Sequence, residues 1–193
     1  MTSTAKSNTL HFGLLFFLAI AFLVLPEYHS GNLARIMILA IYAMGYNVLF
    51  GYTGLLSLGH ALFFSAGMYG LGLTMHLNGW TPAPAFVAAL LASTIVAAIV
   101  GFLVLRTTGV AFMIVTLMFA QAGYLTILYF GTYTRGDEGF ALQQATRQLI
   151  GFDLTNPSVR YYTALILFSV VLLLLAYLVR SPFGRTLVAI REN

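Results

Sequence analysis

A run of polar and glycine residues at positions 47–60 holds the side chains best suited to chemistry in this sequence. Asn47, Tyr52, Thr53, Ser57 and His60 occur there with no charged residue among them. Amide, hydroxyl and imidazole groups form hydrogen bonds with polar molecules. The run contains no paired carboxylates and no cluster of metal-ligand residues.

The backbone of the same run is also unusual. Gly51, Gly54 and Gly59 permit backbone conformations that a side chain would block. Irregular backbone at membrane depth is tolerated only where protein buries it or where it lines a water-filled path. Two interpretations stay open: a discontinuous helix beside a translocation route, or a tight, partly buried loop with no solute contact. For His60 and, later in the chain, Gln121, the alternative is a hydrogen bond between helices.

Composition places the chain in the membrane class. Of its 193 residues, 60% are hydrophobic and 7% are charged, whereas a soluble domain carries about 25% charged residues. The net charge of +4 comes from nine basic residues spread along the sequence, with no basic run that would bind nucleic acid. The absence of cysteine excludes disulfides and thiol chemistry.

About six apolar segments approach the length of a membrane span. They are residues 10–25, 33–50, 55–77, 83–105, 109–130 and 161–179. They predict an all-α, polytopic helical membrane protein, interrupted by the Gly-rich run. The first segment follows Lys6, as in a signal peptide, but no small-residue cleavage site comes after it, which favours a retained helix.

The fourth segment contains a repeat of small residues. Ala85, Ala89, Ser93, Ala97 and Gly101 recur every fourth position. On a helix they form one ridge, and such ridges let the backbones of membrane helices approach closely. This pattern predicts that the fourth helix packs inside a bundle.

The distribution of charge predicts which side of the membrane each loop occupies. With six spans, both termini share one side. That side holds Lys6, Arg106, Arg180, Arg185, Arg191 and Glu192. The other side holds Glu27, Asp137, Glu138, Asp153, Arg135, Arg147 and Arg160. The basic excess on the first side favours cytoplasmic N and C termini.

Several motifs, in order, resemble one transporter family. Residues 47–72 are similar to the signature of M-type permease subunits of branched-chain amino acid ABC transporters. Residues 105–121 resemble an Arg-x-x-Gly-x-x-Phe block of that family, and residues 180–193 resemble its cytoplasmic loop. Residues 134–139 resemble its external Gly/Asp-rich motif, with Arg135 where glycine is more usual.

The resemblance implies a fold similar to the permeases of type II ABC importers and a role in ATP-driven import. Its expected partners are a second permease subunit, two cytoplasmic ATPases, a periplasmic solute-binding protein and the lipid bilayer of the cell inner membrane. The resemblance also implies that the permease itself carries no catalytic residue, metal or cofactor and that ATP binds to separate subunits. Candidate path residues are Asn47, Tyr52, Thr53, Ser57, His60, Thr116 and Gln121. Candidate ATPase-coupling residues are Ser181, Pro182, Phe183, Gly184, Arg185, Arg191 and Glu192.

The expected organisation is a single permease domain, residues 1–193, truncated in the coupling loop at 180–193. Rival interpretations are a related permease for urea, short amides or a sugar, a membrane-embedded enzyme, and a structural membrane subunit. An enzyme would need facing pairs of His, Asp or Glu within the membrane. Of all His, Asp, Glu, Lys and Arg residues, only Arg35, His11, His60 and His76 lie within the predicted spans.

Overall fold

The computed structural model describes residues 3–139, 148–149 and 151–192, and these are almost entirely helical. The long helices are α1 (Ser3–Val24), α2 (Glu27–Asn47), α3 (Ala61–Asn78), α4 (Pro82–Val104), α5 (Gly109–Tyr129) and α7 (Pro157–Arg180). The shorter helices are α6 (Gly131–Thr134) and α8 (Pro182–Glu192), with a π-helical segment at Val48–Tyr52 and a 3₁₀ turn at Gly136–Glu138. Strands β1 (Gln148–Leu149) and β2 (Phe152–Asp153) form one short antiparallel pair.

Helices occupy all six predicted segments, which confirms the all-α membrane class. Within the described residues, four helical stretches are long and apolar enough to cross a membrane. These stretches are Glu27–Tyr52, Pro82–Val104, Gly109–Tyr129 and Pro157–Arg180. The apolar part of α1, Thr9–Val24, is shorter, and α3 ends in the polar residues His76 and Asn78. For these two helices, membrane crossing stays a prediction.

The predicted third span, 55–77, begins too early. Helix α3 starts only at Ala61, and residues 54–57 have no regular structure. Leu55, Leu56 and Leu58 are apolar, so the apolar stretch extends over the non-helical residues and hydropathy does not reveal the break. The other predicted boundaries also differ. Helix α1 begins at Ser3, and α7 begins at Pro157 and continues to Arg180.

Local sequence signals account for several helix ends. Helix α3 stops before Gly79, which adopts the left-handed conformation with φ of 64°, as glycine does without a steric penalty. Pro82 opens α4, where a missing N–H costs nothing. The Asn156 side chain accepts a hydrogen bond of 3.0 Å from the Ser158 N–H and so caps α7.

The described chain forms two compact units, residues 1–48 with 154–193, and residues 49–153. In the first unit, α7 packs against α1 and α2 around a core of Leu18, Ala34, Met37, Tyr161, Ala164, Leu165 and Phe168. Tyr161 is 1% exposed, and its hydroxyl donates to the Leu18 carbonyl over 2.6 Å. The Phe22 and Tyr161 rings are in contact, with centroids 5.1 Å apart and planes tilted by 37°. These contacts fix α1 on α7.

In the second unit, the closest pair of helices is α3 and α4. A Cβ added to Gly70 would lie 3.0 Å from the Ala92 Cβ and 3.2 Å from the Ala89 Cα. A Cβ added to Gly67 would lie 3.7 Å from the Ser93 Cβ. Ala85 is fully buried. The prediction that the small-residue ridge of α4 packs against another helix is therefore confirmed for Ala89 and Ser93.

Two residues used for the orientation lie partly or wholly beyond what is described. Arg147 falls outside the described residues, and for Lys6 only the backbone of α1 is described. The orientation therefore stays a prediction.

Candidate functional site

The Gly-rich run begins where α2 changes its winding. The π-helical segment Val48–Tyr52 continues α2, and π turns of this kind are frequent at functional sites. The Leu55 N–H reaches back to the Leu49 carbonyl over 3.3 Å, and the Thr53 hydroxyl donates to the same carbonyl. Gly54 then takes a φ of 74°, a conformation that glycine adopts readily. The helix ends at this point.

The residues after Gly54 dock onto α5, and we call residues 54–60 the docked turn. The Leu58 N–H donates to the Thr116 hydroxyl oxygen at 3.2 Å, across 58 residues of sequence. The Thr116 hydroxyl in turn donates to the Met113 carbonyl at 2.9 Å. A Cβ on Gly59 would lie 2.0 Å from the Thr116 carbonyl oxygen. Only glycine allows this approach, because any side chain would overlap the α5 backbone.

Ser57 is the polar residue most enclosed by this arrangement. It is 4% exposed, and its Oγ has no hydrogen-bond partner among the described residues. Buried hydroxyls are normally paired, so such an atom needs an explanation. His60 follows at the start of α3, half-buried, with its ring 5.7 Å from that of Phe63 in an edge-to-face contact.

The structure brings together three of the predicted path residues: Ser57, His60 and Thr116. Tyr52 and Thr53 lie directly before the docked turn, in the π segment and at its end. Gln121 is exposed on α5, and its five-residue offset places it about 140° around the helix from Thr116. Asn47 is exposed and belongs to the other unit. No contact in the structure tests whether any of these residues lines a path.

Sequence reasoning missed the partner that each glycine of this unit meets. The sequence indicates only the backbone freedom of Gly59, whereas glycine is required there because a side chain would overlap the Thr116 carbonyl. Gly123 of α5 was not singled out, yet a Cβ there would lie 2.3 Å from a terminal methyl of Leu62. The glycines themselves were the only signal available in the sequence.

The Gly/Asp-rich motif after α5 forms a compact turn. The Thr134 hydroxyl donates to the Ile127 carbonyl at 2.6 Å and accepts from the Gly136 N–H at 3.1 Å. The Tyr124 hydroxyl donates to the Asp137 carboxylate at 3.0 Å. Arg135 has a φ of 59°. Its left-handed conformation explains why glycine suits this position.

The predicted coupling residues form a second structured element, the short helix α8. Helix α8 begins at Pro182, as predicted. The Ser181 hydroxyl donates to the Leu178 carbonyl at 2.6 Å and accepts from the Gly184 N–H at 3.3 Å, which caps the helix. Gly184 is buried, and a Cβ there would lie 2.2 Å from the Val179 carbonyl oxygen. The direction of α8 relative to α7 is therefore tightly set.

The exposed side of α8 combines apolar and basic groups. Phe183 is 57% exposed and Ile190 is 60% exposed, and their seven-residue spacing places them on the same side of the helix. Arg185, Arg191 and Glu192 are also exposed. Such a surface suits a partner that offers both an apolar pocket and acidic groups.

The described side chains offer no metal centre. Within the part of the chain that the structure describes, no three His, Asp or Glu residues come together in a group that could hold an ion. The available chemistry is that of hydroxyls, an imidazole and backbone groups.

Comparison with known proteins agrees with these features. The family model for the branched-chain amino acid transport system permease component matches residues 29–193. The high-affinity branched-chain amino acid transport system permease protein LivM of Escherichia coli K12 is 32% identical over 183 residues, covering 81% of this chain and 42% of that protein. LivM of Salmonella typhimurium LT2 is 31% identical over 218 residues, covering 99% of this chain and 50% of that protein.

The chain thus spans about half the length of the curated relatives it matches. No solved structure shows a significant match. The match to the family model extends over both helical units described above, including the docked turn and α8. This multi-pass membrane protein belongs to the family of permease components of branched-chain amino acid transport systems.

Proposed function

We propose that this chain acts as a membrane-spanning permease subunit of an ABC importer and forms part of the path for branched-chain amino acids. A periplasmic binding protein delivers the amino acid, a second permease subunit completes the path, and two cytoplasmic ATPases drive transport. Family membership and the names of the two LivM relatives support the cargo class. ATP is bound by the separate subunits, and the permease contributes no catalytic group.

The observation that carries the coupling role is the tight joint between α7 and α8. Gly184 lies directly against the Val179 carbonyl, and the Ser181 hydroxyl bonds to both helices: it accepts from the Gly184 N–H of α8 and donates to the Leu178 carbonyl of α7. Because these contacts restrict movement of α8 relative to α7, force applied to α8 acts on the cytoplasmic end of α7. The exposed Phe183 and Ile190 supply one aromatic and one aliphatic anchor for an ATPase, and buried aromatic anchors are among the residues that carry most of the binding energy at interfaces.

The docked turn is the proposed polar wall of the path. Ser57, His60 and Thr116 lie together at the break between α2 and α3. Interrupted membrane helices supply polar backbone and side-chain groups to solutes in several transporter classes. Tyr52, Thr53, Asn47 and Gln121 remain candidates for other parts of the path.

The proposed location is the cell inner membrane, with both termini in the cytoplasm. Arg180, Arg185 and Arg191 adjoin the end of α7. Basic residues close to the end of a membrane helix favour the cytoplasmic side. This orientation places α8 where soluble ATPases can reach it.

The test uses the assembled transporter: this chain with its cognate second permease, ATPases and binding protein. Phe183→Asp should reduce both ATPase recovery with the complex and leucine uptake, because a charge replaces the proposed anchor. Thr186→Ala, an exposed change on the same helix, is the control and should leave both unchanged. Equal ATPase recovery with Phe183→Asp would contradict the coupling role.

The cargo is tested separately in the same system. Competition of labelled leucine uptake by valine and isoleucine, and not by urea or ribose, is expected. Transport of urea or ribose without leucine would overturn the cargo assignment and leave the coupling result intact.

A further inference from the structure

We propose that Thr116 is a positioning residue that latches the docked turn closed, and that Ser57 is the polar group that opening of the latch presents to a solute. The latch itself follows from contacts within the second unit. Its use in transport rests on the proposed function.

Two contacts with one residue hold the docked turn on α5. The Leu58 N–H donates to the Thr116 hydroxyl at 3.2 Å, and Gly59 lies against the Thr116 carbonyl. Thr116 is itself buried, and its hydroxyl proton is directed to the Met113 carbonyl. The hydroxyl oxygen is therefore left as an acceptor, oriented for the Leu58 N–H.

One buried group opposes this closed arrangement. The neighbouring hydroxyls of Thr53 and Ser65 donate to carbonyls of their own helical turns, at Leu49 and Leu62. Ser57 lies in the non-helical stretch 54–57, where no carbonyl one helical turn earlier is presented to it. Its Oγ is buried and has no partner among the described residues. Burying an unpaired hydroxyl is unfavourable, so closure carries a cost that opening relieves.

The two effects together describe an element with two states. When the docked turn is closed, the Thr116 contacts are made and Ser57 is unsatisfied. When it opens, those contacts are lost and the Ser57 hydroxyl can bind water or the charged amino or carboxyl group of an amino acid, since a hydroxyl both donates and accepts. Glycines at both ends, Gly54 with φ of 74° and Gly59 on the α5 backbone, leave the intervening backbone free to move.

The chain contains no cysteine, so Ser57→Cys introduces a single thiol of nearly the same shape. Alkylation by N-ethylmaleimide in membranes then reports how often the docked turn opens. We expect slow labelling of Ser57→Cys alone. Adding Thr116→Val should raise the rate about fivefold, the change in open population expected when one ordinary hydrogen bond is lost. Thr116→Ser retains the hydroxyl and should restore protection.

The matched control is Thr126→Val, the same change on α5 at a hydroxyl that, among the described residues, bonds only to the Ala122 carbonyl. It should not alter labelling of Ser57→Cys. Fast labelling of Ser57→Cys alone would contradict the latch proposal. Equal labelling rates of Ser57→Cys with and without Thr116→Val would also contradict it. A general loosening of the fold is distinguished because it would raise labelling of Ser65→Cys by the same factor.

A second measurement separates the latch from the transport role. In the assembled transporter, binding protein with leucine and ATP should increase labelling of Ser57→Cys above the resting rate. If Thr116→Val raises labelling but cargo and ATP do not, the latch stands and its use in transport is wrong. If the assembly moves no amino acid at all, the proposed function fails while the labelling result remains valid.

Discussion

Gly59 and the backbone carbonyl of Thr116 are in direct contact, although 57 residues separate them in the sequence: a Cβ on Gly59 would lie 2.0 Å from that oxygen. The obstructing atom belongs to the α5 backbone, which cannot move away by changing rotamer as a side chain can. The contact joins the break after α2 to the middle of α5, and it makes position 59 one of the least substitutable in the second unit.

Gly59→Ala should destabilise the fold by about 1–3 kcal/mol, the usual cost of overpacking. Thermal unfolding of the purified chain in detergent measures this effect. Gly101→Ala is the control, because no atom of the described residues lies within 4 Å of a Cβ at that helical position, and alanine there should be neutral or stabilising. A Gly59→Ala protein as stable as the Gly101→Ala protein would show that the docked turn is not held against α5.

Gly54→Val should reduce uptake in the assembled transporter while membrane insertion remains normal. The φ of 74° at Gly54 costs a β-branched residue roughly 1–2 kcal/mol, so the docked turn would lose its shape. Gly54→Asn tolerates this conformation better and should keep more activity. Unchanged uptake by Gly54→Val would make this an ordinary connecting loop.

Ser93→Leu should lower the yield of folded protein, measured as the monodisperse fraction after size-exclusion chromatography. The Ser93 Cβ lies 3.7 Å from the position of a Cβ on Gly67, so a larger side chain forces α3 and α4 apart. Thr94→Leu, on the exposed side of the same helix, is the control and should be tolerated. Normal yield from Ser93→Leu would be incompatible with the close α3–α4 packing.

Tyr161→Phe should lower stability by about 1 kcal/mol, the net value of one hydrogen bond. The lost bond is the 2.6 Å contact of the Tyr161 hydroxyl with the Leu18 carbonyl, between α7 and α1. Tyr162→Phe, at a neighbouring exposed position, provides the comparison. If the melting curves of the two variants coincide, this buried hydrogen bond does not hold α1.

Reporter fusions after Leu77 and after Asn193 should report opposite sides of the membrane, with the second in the cytoplasm. The expectation follows from the predicted spans and from Arg180, Arg185 and Arg191 next to α7. A periplasmic readout after Asn193 would reverse the orientation. The same side for both fusions would remove at least one span.

Much of the architecture follows from local properties of the sequence. Hydropathy located all six long helices, Gly79 and Pro82 marked the junction of α3 and α4, and Pro182 marked the start of α8. The family resemblance, based on short motifs, is confirmed by the match over residues 29–193. The roles assigned to individual path and coupling residues stay predictions, because no contact among the described residues tests them.

The small-residue ridge shows where local information ends. A four-residue period shows that Ala85, Ala89 and Ser93 share one face of a helix, because helix geometry depends only on spacing. It does not name the helix that meets them. Gly67 and Gly70 of α3 are identified only when two helices pack, since the close approach depends on the shapes of both surfaces.

Composition, periodicity and turn residues were sufficient for the membrane class, the helices and the position of the break near Gly54, because each depends on neighbours in the chain. The start of α3 at Ala61, the hydrogen bond from Leu58 to Thr116 and the burial of Ser57 depend on a helix more than 50 residues away. Leu55 to Leu58 read as membrane helix by hydropathy. The contacts that draw them out of a helix arise only when α5 packs against the turn.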